Sequence, residues 1–302
     1  MKHAFRFFLT TLGLMLLLST CGDKPSDSKK DESDSVAEHL HDVAHILSSA
    51  DWKIPAGSTT STKETRSIIN ASIDANVRDQ KISGLMSKEF KRAYVSDYIS
   101  DTSIRTEFKK DKITGRAIVN GRPAPQPNET GPMHGQTIMF TRSDRGWQGI
   151  LDDAEANPDQ RNHIDELARQ IAGFNNRVIF GRSARKLGDT WEVDPAKLNS
   201  YAGGLEEMNG TFKVFFRSLV KHQGYDCAEI LTSFNLLGRE LQGKEIQLIG
   251  KAIMLQSLDY QIPLRMEMKG EIMMSNPVMK GLGNMRTKGP IELIRETTLA
   301  LP

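Results

Sequence analysis

The chain has 302 residues, of which 38% are hydrophobic, with 40 Lys and Arg against 38 Asp and Glu. That length supports one large domain or two small ones with a real core. Charge is nearly balanced and mixed along the chain, which excludes the basic stripe of a nucleic-acid binder and the polybasic run of an electrostatic membrane anchor.

The first twenty-one residues carry the most information. Lys2 and Arg6 give a basic start, Phe7 to Leu18 is an apolar run, and Leu18-Ser19-Thr20-Cys21-Gly22 follows. The run is shorter than the ~20 residues that span a bilayer as a helix. A basic n-region, a short h-region and small residues before a cut define a secretory signal. The cysteine at the cut resembles the lipobox of bacterial lipoproteins, with Thr20 where Gly, Ala or Ser is usual. The resemblance implies that 1–20 is removed and that Cys21 is acylated on sulfur as the mature N terminus. A lipid then holds the protein at a membrane of the bacterial cell envelope, facing the periplasm or exterior. Loss of Lys2 and Arg6 brings the 40 basic residues to 38, equal to the acidic count.

Residues 21–34 are expected to form a disordered tether, because Gly22 to Asp34 offers no apolar residue but Pro25 to bury. A β-rich body is expected over 35–302. Its first element is a helix over 36–49, with Ser35 and Glu38 as a capping box and Val36, Leu40, Val43 and Leu47 on one face.

From Thr62 the period changes to two. Ile69, Ala71, Ile73, Ala75 and Val77 alternate with polar residues, the pattern of a half-buried strand. Phe90–Ile99, Ile104–Phe108 and Ile113–Val119 read as further strands, and Asn120-Gly121 as a hairpin turn. Gly121 to Pro132 holds four of the twelve prolines and reads as a loop. Thr137–Thr141 and Trp147–Leu151 flank Ser143-Asp-Arg-Gly146 as a second hairpin, closing a strand-rich half over 60–151. A helix is expected over 157–176, with Asn157 as cap, Pro158 first, and Ile164, Leu167, Ala168 and Ile171 in one stripe.

The second strand-rich half covers 188–302. Strands are expected around Phe212–Val220, Ala228–Leu236, Ile246–Tyr260, Leu264–Met274 and Ile291–Leu301. Leu264, Met266, Met268, Ile272 and Met274 alternate with Arg265, Glu267, Lys269 and Glu271. Strands in succession around one clear helix predict an α+β fold, a mainly antiparallel curved sheet or half-barrel with a few covering helices.

Catalytic signatures are weak. His39, His41 and His45 cluster, but HLHDVAH lacks the glutamate of a metalloprotease helix and offers no third ligand, so no metal or cofactor is assigned. His134, His163 and His222 stand singly, and there is no Gly-x-Ser-x-Gly. With Cys21 acylated, Cys227 has no partner for an intrachain disulfide, and its strand-like setting reads as a buried inert thiol. Methionine is the compositional oddity, with Met254, Met266, Met268, Met273, Met274, Met279 and Met285 close together. Methionine suits surfaces that accept variable apolar shapes, and Met254, Met266, Met268, Ile272 and Met274 are the candidate ligand-binding face. Core filling is the plainer alternative.

The lipobox, the polar tether and the helix-punctuated antiparallel sheet together are similar to envelope lipoproteins with the open-barrel architecture of lipoprotein carriers of the Lol type. The Gly188-Asp-Thr-Trp191 turn and the run Gly224-Tyr-Asp-Cys-Ala-Glu-Ile230 also resemble uncharacterised bacterial lipoproteins. This resemblance implies a curved sheet covered by helices around an apolar cavity, and it carries over no functional residue beyond Cys21. The expected function is a non-enzymatic, lipid-anchored binding body with an apolar ligand or an envelope protein as partner. The alternatives are an assembly adaptor, or a hydrolase built from dispersed residues such as His134 and the acids.

Overall fold

Alternation of period two runs through eight long stretches of the chain, and each of them is a strand. The computed structural model describes residues 40–48, 54–77, 80–124, 128–152, 155–172, 174–198, 205–240, 244–277 and 284–302. Cys21, the signal segment and the tether lie outside the described residues, as do His39 and the first residues of the expected helix over 36–49.

The long strands are β1 (Thr59–Val77), β2 (Gln80–Ser100), β3 (Ser103–Val119), β9 (Leu205–His222), β10 (Tyr225–Glu240), β11 (Glu245–Ser257), β12 (Pro263–Pro277) and β13 (Asn284–Ala300). Shorter strands are β4 (Arg122–Ala124), β5 (Glu129–Thr130), β6 (Thr137–Ser143), β7 (Gly146–Leu151) and β8 (Thr190–Glu192). All thirteen belong to one antiparallel sheet with the path β7-β6-β3-β2-β1-β13-β12-β11-β10-β9-β8, while β4 and β5 flank β3. The sheet is curved and open: its edges, β7 and β8, do not pair with each other. The fold is the expected α+β half-barrel, with two described helices, α1 (Pro158–Ile171) and α2 (Phe174–Phe180).

Bulges set which side chains face inward. In β1 the buried residues are Thr60, Thr62, Glu64, Arg66 and Ile68, then Ala71, Ile73 and Ala75. The phase slips at Ile69 and Asn70, where the register to both neighbours shifts and Asn70 takes φ 48°. Asn70 N–H donates to Ser87 Oγ at 2.9 Å, which satisfies the group the bulge removes from the ladder. Opposite the bulge, Gly289 approaches so closely that a Cβ there would sit 2.5 Å from Ala71 Cα. A second slip in β3, between Phe108 and Lys110, joins the two expected strands 104–108 and 113–119 into one. Asn120 (φ 50°) and Gly121 (φ 74°) form the expected hairpin turn, and the β6–β7 hairpin also forms as expected.

Helix α1 starts as its sequence dictates. Asn157 Oδ1 accepts from Gln160 N–H, Gln160 Oε1 accepts from Asn157 N–H, and Pro158 fills the first position. Its stripe of Ile164, Leu167 and Ala168 is buried, and Gly149 on β7 leaves the space in which Ile164 lies. The expected single helix over 157–176 is two pieces. α1 ends at Ile171, Arg177 Nη2 donates to the carbonyl of Ala172, and α2 runs on to Phe180.

The expected N-terminal helix over 36–49 is not present in its described part. At 40–48 the chain is irregular, and His45 exchanges two backbone hydrogen bonds with Arg185. Leu47 is buried in the core, and the Leu47 carbonyl accepts from buried Gln256. Tertiary pairing outcompetes a helix too short to hold alone.

Buried side chains form two clusters. One joins β9–β13 with Leu47, α2, Leu198 and the far ends of β1–β3. The other joins Tyr98, Ile104, Phe108, Ile138 and Phe140 to α1, Cys227, Leu264 and Leu299.

Candidate functional site

One transverse row of directly paired residues crosses the eight long strands. It reads Asp111 (β3), Arg92 (β2), Glu64 (β1), Arg295 (β13), Met266 (β12), Met254 (β11), Ile230 (β10) and Phe216 (β9). The first four alternate in charge and the last four are apolar. Side chains opposite one another on adjacent strands interact directly, so the inner face divides into an ionic half and an apolar half, meeting between Arg295 and Met266.

The ionic half is closely joined. Glu64 is shared by Arg66 and Arg295, and Arg295 Nε donates to Glu64 Oε2 at 2.6 Å. Arg92 Nε donates to Asp111 Oδ1 at 3.3 Å, and Asp111 Oδ2 accepts from Met133 N–H at 3.1 Å. Burial opposes ionisation of Glu64, but the guanidiniums of Arg295, Arg66 and Arg92 outweigh it and hold the carboxyl well below the usual range. Burial likewise works against the charges of Arg92 and Arg295, yet the facing carboxylates raise both above the ordinary arginine value. Removing such charges from water is expensive, and only the alternation of sign offsets the cost.

Two further polar groups stand near this half. Burial, with the Arg92 charge beside it, pushes the His163 imidazole down to about 4. Its Nδ1 has no hydrogen-bond partner among the described residues. Lys88, one of the buried residues of β2, is pushed down to about 8 by burial despite the pull of Glu129, and lies 4.9 Å from the centre of the Phe90 ring.

Next to the ionic row, on the side of α1, runs a set of inward hydroxyls. Thr62 and Thr297 are 3.1 Å apart, Ser96 and Thr106 are 2.8 Å apart, and Thr60 faces the Tyr98 hydroxyl at 3.5 Å. Burial pushes Tyr98 up to about 12, so its proton stays in place.

A cavity of about 410 Å³ lies between this part of the sheet and the α1–α2 segment. Its polar wall includes Thr60, Thr62, Ser96, Thr106, Thr297, Arg177 and Arg295. Its apolar wall includes Tyr94, Leu167, Ile171, Ile262, Met254 and Met266. Exposed Arg142 and half-buried Trp147, Gln170 and Gln261 mark its rim. The volume falls in the range of roughly 300–1,000 Å³ typical of small-molecule sites, which pair an apolar lining with a few placed polar groups.

The five candidate ligand residues separate here. Met254 and Met266 line the cavity, whereas Met268, Ile272 and Met274 are buried in the packed cluster of β9–β13. The alternation in β12 therefore marks one buried face of which only the end near α1 meets open space. Cys227 is fully buried, and burial together with the charge of Asp226 pushes its thiol up to about 12, as an inert thiol requires. His45 Nε2 lies 2.8 Å from the Leu40 carbonyl, a structural contact. Among the described residues no group of three or more His, Cys, Asp or Glu stands close enough to hold a metal ion.

Sequence reasoning missed the polar wall. It assigned no role to Thr60, Thr62, Glu64 and Arg66, and it left His163 as a single histidine outside any site. The available signal was the long polar period-two run in a strand that the topology places in the middle of the sheet.

No family model matches the chain, and no curated protein matches it. Among solved structures, a lipovitellin described for its lipid–protein interactions aligns at 12% identity with a TM-score of 0.31. That alignment covers 82% of this chain but 26% of the other, so the chain spans about a quarter of lipovitellin's length. An outer membrane channel from Pseudomonas putida aligns at 7% identity and TM-score 0.23, over 82% of this chain and 97% of that one. A β-barrel-like protein from Brucella abortus, from a domain family of unknown function, aligns at 10% identity and TM-score 0.18, over 82% and 99%. With TM-scores this low, what this chain is similar to in these structures is the strand-rich layout alone.

Proposed function

We propose that this chain is a lipid-anchored protein of the bacterial cell envelope whose half-barrel binds an apolar ligand and performs no chemistry of its own. The carrying observation is the cavity between the sheet and the α1–α2 segment, walled on one side by Met254, Met266, Ile171 and Leu167. A pocket in that position suits a ligand carrier; an adaptor working through its surface has no use for one. The charged groups beside the cavity favour binding over catalysis. A carboxylate held as strongly ionised as Glu64 accepts protons poorly, and an imidazole that resists protonation down to about 4 is a poor general acid near neutrality. The anchor rests on the lipobox-like Leu18-Ser-Thr-Cys21.

Native mass spectrometry of the full-length protein, extracted from membranes in mild detergent, tests the reading. A non-covalent lipid-sized adduct on the body is expected, lost when Met254→Trp fills the cavity. Detection of the bare polypeptide alone, whatever lipid is supplied, overturns it. For the anchor, Cys21→Ala is expected to move the protein from the membrane to the soluble fraction.

A further inference from the structure

Resting on that reading, we infer that the ligand is a single-chain amphiphile with one negative charge, of the fatty-acid type, held with its head inward on Arg295. A purely apolar ligand would leave part of the polar wall unanswered, because the Thr62–Thr297 and Ser96–Thr106 pairs each spend only one of their two hydroxyl hydrogens on the partner, and a buried guanidinium lies in the same wall. Polar groups facing an apolar occupant lose water without gaining a partner.

The sign of the charge follows from the lining. The guanidiniums of Arg142, Arg177 and Arg295 line the cavity, and no carboxylate does among the described residues. Arg295 shares Glu64 with Arg66, and Arg92 is paired with Asp111. The remaining acid that acts on Arg92 and Arg295 is Glu166, on α1. It is only half-buried and accepts a hydrogen bond from Gln170 at 3.2 Å, so solvent weakens its hold. Among the described residues, Arg295 bonds Glu64 through Nε and Nη2. A guanidinium that shares the cavity wall with the Thr62–Thr297 hydroxyl pair suits a small monoanion such as a carboxylate, which accepts short charge-assisted hydrogen bonds.

The orientation follows from where the lining changes. Arg295 and the hydroxyls lie on the inner wall, on strands in the middle of the sheet. Trp147, Ile171 and Ile262 lie toward the rim, with Gln170 and Gln261. A tail over Trp147, Ile171, Ile262, Met254 and Met266 meets a mainly apolar surface, whereas a head at the rim would leave Arg295 facing hydrocarbon. Methionine accommodates tails of different length and bend.

The test compares palmitate, hexadecanol and hexadecyltrimethylammonium as probes on the full-length protein held in amphipol, with affinities from native mass spectrometry. Wild type is expected to prefer palmitate over hexadecanol by about tenfold or more, the scale of one hydrogen bond to a charged group, and to bind the cationic probe least. Arg295→Met is expected to bring palmitate down to the level of hexadecanol while leaving hexadecanol binding in place, and Arg295→Lys to retain most of the preference. Equal binding of palmitate and hexadecanol by wild type overturns the head-inward assignment whether or not the variants fold, and so does an undiminished preference in Arg295→Met. Binding of none of the three probes instead removes the parent reading of the cavity as a ligand site.

Discussion

Arg295 on β13 and Met266 on β12 are directly opposite neighbours, and the inner face of the sheet changes character between them. Toward β3 the row continues through Glu64, Arg92 and Asp111. Toward β9 it continues through Met254, Ile230 and Phe216. Both residues line the cavity, so an occupant meets a cation and a thioether side by side.

Glu64 is the residue on which the ionic half depends. Glu64→Leu leaves Arg66 and Arg295 facing each other across buried space. A loss of about 3–5 kcal/mol is expected, the usual cost of breaking a buried ion pair by removing one partner. Urea unfolding followed by circular dichroism measures it. Replacing all three residues together, as Glu64→Leu with Arg66→Met and Arg295→Met, is expected to cost less than the single change.

Stability should fall as the medium is acidified, in two stages. The His163 imidazole is depressed from 6.5 to about 4, so between these values the unfolded chain takes up a proton that the folded one refuses. The stability contributed is complete above pH 6.5 and is lost as pH drops toward 4. The Glu64 carboxyl is also depressed, so its contribution is complete above the ordinary glutamate range and declines below it. His163→Gln is expected to flatten the pH 4–6.5 part of a melting-temperature profile and leave the more acid part unchanged.

Lys88 predicts a gain on the alkaline side. Its ammonium is depressed from 10.5 to about 8, so from pH 8 upward the folded state sheds a proton that the unfolded state keeps until about 10.5. Folding therefore strengthens across that window. Lys88→Met is expected to raise stability at pH 7, where the buried charge is a burden, and to abolish the rise between pH 8 and 10.

Gly149 fixes how closely α1 lies on β7. A Cβ there would sit 2.6 Å from Ile164 Cγ2 and 2.6 Å from a Phe140 ring carbon. Gly149→Ala is expected to cost about 1–3 kcal/mol, the range for overpacking. The companion change Ile164→Val should recover part of it, as measured by thermal unfolding.

The sequence reveals those features whose cause is local. The cap at Asn157, the turn at Asn120-Gly121 and the strict alternation in β12 each lie within a dozen residues, and each formed. Features set by distant partners were hidden. The helix expected over 36–49 had a fair apolar stripe but gives way at 40–48 to pairing with Arg185. The bulge at Ile69-Asn70 was masked because Ile68 and Ile69 are both apolar, so either phase of the alternation looked correct. The ionic row was out of reach, since Glu64 and Arg295 lie 231 positions apart and each sits in an ordinary polar stretch. Of the five methionine-face residues, the sequence identified a buried face but not where it meets empty space, because a cavity depends on what α1 and α2 leave uncovered.

The adjacency of β1 and β13 has a consequence for biogenesis. Thr62 and Thr297 touch across 235 positions, so the seam down the centre of the sheet closes only after β13 has been made. Hairpins such as β2–β3 and β9–β10 are free to zip up while synthesis continues, yet neither half can shield its interior until that final union. Distant closures of this kind are slow. A newly made chain spends that interval with its Met-rich ribbon bare, the period in which a chaperone is most needed.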